Sequence, residues 1–162
     1  MRLLLIALAA LALASCASFD GYSLVPGKST AAEVEATMGT PFERLPAAEG
    51  GTVWYYPRYR QTFAVRVGPD GVVRSVDPLL VEPNIRRVAP GATTAAQARE
   101  ILGPPLLVAR NARLERDIWE YNMQNEQQWD YFLEVQFSYD GIVREVMMLK
   151  DYSKEMGDGG LP

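Results

Sequence analysis

The chain contains no histidine and a single cysteine, Cys16. Without imidazole, histidine-based catalytic triads and histidine-ligated zinc sites are excluded. One cysteine permits no intrachain disulfide, so no covalent staple holds the fold. There is no basic run: 16 Lys and Arg stand against 20 Asp and Glu, for a net charge of −4. Such a balance argues against nucleic-acid binding and against electrostatic docking on anionic lipid. The acidic residues are scattered singly, without calcium-loop spacing or an acid/base pair. Gly157-Asp158-Gly159-Gly160 has no bracketing strand and helix, and so reads as a tail and not as a phosphate loop. These absences point away from an enzyme, with no metal and no cofactor expected.

The N-terminus reads as an address. Arg2 supplies a short positive region, and Leu3 to Leu13 is an apolar run too short to span a bilayer comfortably. It ends in Leu13-Ala14-Ser15-Cys16, which resembles the bacterial lipoprotein lipobox. That resemblance implies a signal peptide over 1–15 and acylation (palmitate) of Cys16, which also takes the thiol away from catalysis. The alternative is an ordinary secretory signal whose cleavage site happens to precede a cysteine. Removing 15 residues from 162 leaves 147, and losing Arg2 moves the charge from −4 to −5. Several acyl chains, at about 0.8 kcal/mol per buried CH₂, make a stable anchor. Ala17, not Asp, follows the cysteine; under enterobacterial-type sorting this implies the outer membrane, facing the periplasm. The expected tether, 16–24, keeps the domain within roughly 30 Å of the surface at ~3.5 Å per residue.

The rest of the chain carries one unit twice. Pro26-Gly27-Lys28-Ser29-Thr30 recurs 64 positions later as Pro90-Gly91-Ala92-Thr93-Thr94, and Met38-Gly39-Thr40-Pro41 recurs as Leu102-Gly103-Pro104-Pro105. Trp54-Tyr55-Tyr56 returns as Trp119-Glu120-Tyr121, and Asp70-Gly71-Val72-Val73-Arg74 as Asp140-Gly141-Ile142-Val143-Arg144. The growing offset places insertions between matched elements. Each copy is then one supersecondary unit, repeat 1 over 25–87 and repeat 2 over 88–150, with a flexible tail over 151–162.

Thr30 with Glu33, and Thr94 with Gln97, have capping-box spacing, and Gly39 and Gly103 stand where left-handed caps are wanted. Each cap predicts a short helix. Alternating segments then predict strands at 42–45, 52–57, 61–67 and 72–76, and again at 106–109, 117–123, 131–138 and 142–149. The fold class is α+β: two tandem helix-plus-antiparallel-meander repeats sharing a sheet, with helices on one face. Trp54, Tyr56, Phe63, Val65 and Val67 are expected to face the first helix, and Trp119, Tyr121, Leu133, Val135 and Phe137 the second. Tyr55, Ala64, Arg66, Glu120, Phe132, Glu134 and Gln136 are then expected on an open face.

Residues shared by both copies most readily report fold. Trp54 and Trp119 read as core, and Arg74 and Arg144 as exposed strand residues or as paired salt bridges. What differs is more informative. Repeat 2 lengthens its middle connection with residues 122–129, either a solvated loop or a binding element. Trp129 stands at its exit, and Tyr59 at the equivalent point of repeat 1. Tyr, Trp and Arg are the usual interface anchors, so Tyr55, Tyr59, Arg60, Trp129 and Phe132 form the candidate partner-binding patch. Met147 and Met148 are adjacent and point to opposite faces, so that strand is buried on both sides or meets another surface.

The order of these motifs, Pro-Gly-x-Ser/Thr, Gly-Thr-Pro, Trp-x-Tyr and Asp-Gly-x-Val, resembles the SmpA/OmlA (BamE-like) domain of outer-membrane lipoproteins. The first copy carries it from Val25 to about Val76, and the second more loosely from Val88 to about Leu149. The tandem arrangement is also similar to the β-lactamase inhibitor protein fold. The BamE-like resemblance implies a non-catalytic outer-membrane lipoprotein that supports assembly of β-barrel proteins by protein–protein binding. The alternative is a periplasmic inhibitor or ligand-binding lipoprotein. Family members have one domain copy and a longer N-terminal segment, and both differ here.

Overall fold

The computed structural model describes residues 20–152; the signal segment 1–15, Cys16 and residues 153–162 lie outside them. The architecture is α+β. Among the described residues three helices, α1 (Ala31–Met38), α2 (Glu82–Ile85) and α3 (Ala95–Leu102), accompany eight strands. These are β1 (Glu43–Pro46), β2 (Thr52–Arg58), β3 (Gln61–Val67), β4 (Val73–Pro78), β5 (Leu107–Asn111), β6 (Arg116–Gln124), β7 (Asp130–Ser138) and β8 (Val143–Lys150). The strands form two four-stranded antiparallel sheets, β1-β2-β3-β4 and β5-β6-β7-β8, where the sequence led us to expect one shared sheet.

Both capping boxes are formed. The Thr30 side chain accepts from the Glu33 amide while the Glu33 carboxylate accepts from the Thr30 amide, and Thr94 and Gln97 repeat the pair. The helices end at Gly39 (φ 79°, ψ −164°) and Gly103 (φ 78°, ψ −170°). This is not the left-handed helical cap expected but a region open essentially to glycine alone, a stricter demand. Ahead of each helix the same clamp recurs. Buried Ser29 Oγ accepts from Val25 N, and buried Thr93 Oγ1 from Ala89 N. Gly27 N donates to Val73 O, and Gly91 N to Val143 O. The helix entry is thereby tied to the return strand in both copies.

The turns before β4 and β8 also match. Asp70 accepts from Val72 N and pairs with Arg74 at 2.7 Å; Asp140 accepts from Ile142 N and pairs with Arg144. The repeated arginines therefore serve the turns as ion pairs.

The chain divides into two compact units that do not follow the repeat boundary at 87/88. Among the described residues the first comprises 20–54 with Val65–Val76, and the second Tyr55–Ala64 with 77–152. In the first unit Leu24, Val34, Met38, Trp54, Val65, Val67 and Val73 are buried. Gly21 and Leu24 are buried as well, so the expected tether gives its last residues to this unit.

In the second unit Ala98 and Leu102 of α3 join one core with Tyr121, Leu133, Val135, Phe137 and Val143. The β6–β7 register, Trp119 opposite Val135 and Tyr121 opposite Leu133, puts these strand residues on one face as expected. Trp119 packs on this core, its ring 4.6 Å from that of Phe137. Buried Tyr121 donates its hydroxyl to Gly103 O at 3.1 Å, tying the helix end to the sheet; burial pushes that phenol well above its ordinary pKa. Helix α2, which the sequence reading did not foresee, adds Ile85 to the same core. Its Pro83 lies in the first turn, where the missing amide costs nothing.

Candidate protein-binding surface

The connection expected over 122–129 begins as strand in its first three residues. β6 runs through Asn122, Met123 and Gln124, and only Asn125 to Trp129 remains as a turn. Amides build it. Asn125 Oδ1 accepts from Trp129 N at 2.9 Å, Asn125 N donates to Trp129 O, and Gln124 Nε2 donates to Gln128 O. Gln128 is held at φ 63°, a left-handed conformation that costs a non-glycine residue about 1–2 kcal/mol. That strain is stored immediately before Trp129. The indole is 47% exposed, and the Lys150 ammonium sits 3.4 Å from its ring centroid. Tyr152 covers the same ammonium from 4.7 Å. The first two residues of the expected tail are thus part of the site, and Asp151 N also bonds to Asp130 O.

Beside this turn lies a depression of about 190 Å³, lined among others by Tyr59, Arg60, Asn122, Asp130 and Phe132. Arg60 Nη2 donates to Asp130 Oδ2 at 2.8 Å, and the Asp130 side chain is only 14% exposed. Low exposure shields this pair from solvent screening more than a surface pair. Arg60 Nε and Asn122 Oδ1 are sealed from water with no hydrogen-bond partner. Each unsatisfied group of this kind costs about 1–3 kcal/mol. In the same hairpin, burial holds the Arg58 guanidinium below its ordinary pKa. Exposed aromatic area beside a partly shielded ion pair makes a surface suited to binding, while the two sealed polar atoms are a local cost in stability. Among the described residues no three Cys, Asp or Glu side chains are grouped as metal ligands would be.

The five residues selected from sequence divide as follows. Tyr59 (63% exposed), Arg60 and Phe132 meet at the depression; Trp129 is not in its lining, although the next residue, Asp130, is. Tyr55 does not join them: it is 4% exposed, a correction to the open-face expectation. The reason is Gly103. A Cβ placed there would lie 2.8 Å from Thr62, 3.1 Å from Leu79 and 3.3 Å from Tyr55, so the turn after α3 covers that side of the β2–β3 hairpin. Ala64 is buried too, and Trp54, Tyr55 and Tyr56 are buried in succession, so alternation fails in β2. Asp130 and Lys150 were missed from sequence, and Asn122 entered only as part of the connection 122–129, because which strand residues meet a hairpin from another repeat is set by packing.

No protein-family model matches the chain, and no curated protein matches it. Among solved structures, a DUF4309 family protein (YjgB) from Bacillus subtilis subsp. subtilis str. 168 is similar over 80% of this chain and 84% of that one. The sequence identity is 17% and the TM-score 0.31. A likeness of that size carries nothing over to this chain, whose site stands on its own residues.

Proposed function

We propose that the chain is a non-catalytic outer-membrane lipoprotein, anchored through Cys16 and facing the periplasm, that binds protein and supports β-barrel assembly in a BamE-like way. In this proposal the two repeats are BamE-like units, each with its helix on one sheet face. The observation that carries the binding reading is the meeting of Tyr59, Arg60 and Phe132 at one depression, with Asp130, the residue after the half-exposed Trp129, also in its lining. Such residues anchor protein interfaces because they offer large area at little entropic cost. The lipobox and the order of the repeated motifs support the location and the assembly role.

The test is capture of the lipoprotein from mildly crosslinked, detergent-solubilised outer membranes. Barrel-assembly components should be enriched at least tenfold over a Cys16→Ser control. Trp129→Ala and Phe132→Ala should lose most of that enrichment while the thermal transition stays nearly in place. If either substitution instead unfolds the protein, the patch is core and the surface is wrongly chosen. Equal capture of a soluble periplasmic protein by wild type and Cys16→Ser would favour the inhibitor or ligand-binding alternative.

A further inference from the structure

A second cavity, of about 400 Å³, opens between the stretch leading into α2 and the turn that repeat 2 adds after β6. Its apolar side includes Met123, Met148 and Tyr131, and its polar side includes Glu82, Glu126 and Gln127. No lysine or arginine lines it. Glu82 pairs with Arg86 one helical turn away, but both are well exposed, so the pair is weak and exchangeable. Glu126 is exposed on the strained turn. Repeat 1 has only Tyr59 and Arg60 between β2 and β3, so the wall formed by 125–127 has no equivalent there.

We propose that this cavity takes an arginine side chain presented by a partner polypeptide. Resting on the protein-binding reading above, the proposal adds the partner's chemistry. An arginine stem lies on the thioethers of Met123 and Met148, which are soft and adapt to irregular shapes. Its planar guanidinium reaches the Glu126 carboxylate for charge-assisted hydrogen bonds and stacks against Tyr131. A neutral or acidic side chain would leave the carboxylates desolvated without compensation. The cavity's size lies within the usual range for binding sites, so the flanking residues of an extended segment have room as well.

The experiment uses the full chain labelled at its methionine methyl groups, titrated with N-acetyl-Ala-Arg-Ala-amide and with the same tripeptide carrying neutral, nearly isosteric citrulline. The Met123 and Met148 methyl resonances should shift with the arginine peptide, with a dissociation constant on the order of 1 mM, while Met38 stays put. Citrulline should bind at least tenfold more weakly. Glu126→Gln, a change on an exposed turn, should weaken the arginine peptide about fivefold. Absence of any shift, or equal shifts with both peptides, overturns the assignment and leaves Trp129-dependent capture unaffected. Arginine-selective shifts in a chain that captures no barrel-assembly component would retain the cavity's specificity and remove the assembly role.

Discussion

The two repeats use the same clamps and differ at their connections. Ser29 and Thr93, Thr30 and Thr94, Asp70 and Asp140 occupy matching positions with matching hydrogen bonds. These residues settle the helix entry and the turn before the return strand. Between β2 and β3, repeat 1 makes a two-residue hairpin; between β6 and β7, repeat 2 extends both strands and closes them with the strained turn at Gln128. The edges differ as well. β1 is protected by Glu43, Arg44 and a terminal Pro46, whereas β5 exposes Leu107 and Val108. Duplication preserved what each copy needs to fold, and the departures fall at connections and sheet edges, with the β6–β7 connection leading into the candidate surface.

The largest effect expected from this comparison lies at the helix ends. Gly39 and Gly103 share one backbone conformation, but a Cβ at Gly39 would meet nothing within 4 Å, while one at Gly103 would strike Thr62 at 2.8 Å. Gly39→Ala should cost about 2 kcal/mol from backbone strain alone. Gly103→Ala should cost about 3–5 kcal/mol, because overpacking against Leu79 and Tyr55 is added. Urea unfolding of the two variants reads the difference directly. Equal losses would mean that the turn after α3 does not hold the β2–β3 hairpin as described.

How much could be read from sequence follows the same division. Local signals were sufficient for both capping boxes, for the strand order within each repeat and for β3, whose bounds match the expectation to the residue. The alternation also placed Tyr121, Leu133 and Val135 on the core face correctly. Alternation cannot tell how many faces of a strand are covered. Tyr55 was assigned to an open face because nothing local reports that Gly103 will lie beside it, and Ala64 is buried as well. Arg60 was chosen as an exposed anchor; its partner Asp130 lies 70 residues away and emerged only from the fold. Tyr59 and Trp129 were singled out as large aromatics at a connection and Phe132 by strand alternation; of the three, Tyr59 and Phe132 line the depression.

A smaller effect should come from the strained turn. Between β1 and β2 repeat 1 places Gly50 and Gly51 at positive φ, where repeat 2 has Glu115; Gln128 has no such counterpart, because repeat 1 closes β2 and β3 with Tyr59 and Arg60 alone. Gln128→Gly relieves about 1–2 kcal/mol of backbone strain but adds about 0.5–1 kcal/mol of chain entropy to the unfolded state. Net stability should therefore rise by no more than about 1.5 kcal/mol. Partner capture should fall several-fold, because the looser turn no longer presents Trp129 in one geometry. Wild-type capture by this variant would show that the strain has no part in binding.

The smallest expected effect separates two otherwise equivalent caps by pH. Glu33 accepts from Thr30 N at 2.7 Å, and Gln97 accepts from Thr94 N at 2.9 Å, but only the first can titrate. Hydrogen bonds from the Thr30 backbone and then its side chain hold the Glu33 pKa below its ordinary value. The folded state therefore favours ionised Glu33, and the stabilisation is fully present above the unfolded value near 4.3. It is lost as pH falls through the lower, folded value. Glu33→Gln makes the first cap like the second, leaving stability almost unchanged at pH 7 and the acid limb shallower below about pH 4. Urea midpoints between pH 7 and pH 3 measure this, with Asp70 and Asp140 supplying the remaining acid sensitivity through their own lowered pKa values. If wild type and Glu33→Gln lose stability in parallel throughout that range, the two caps are equivalent in charge as well as geometry, and the acid limb belongs to the turn aspartates.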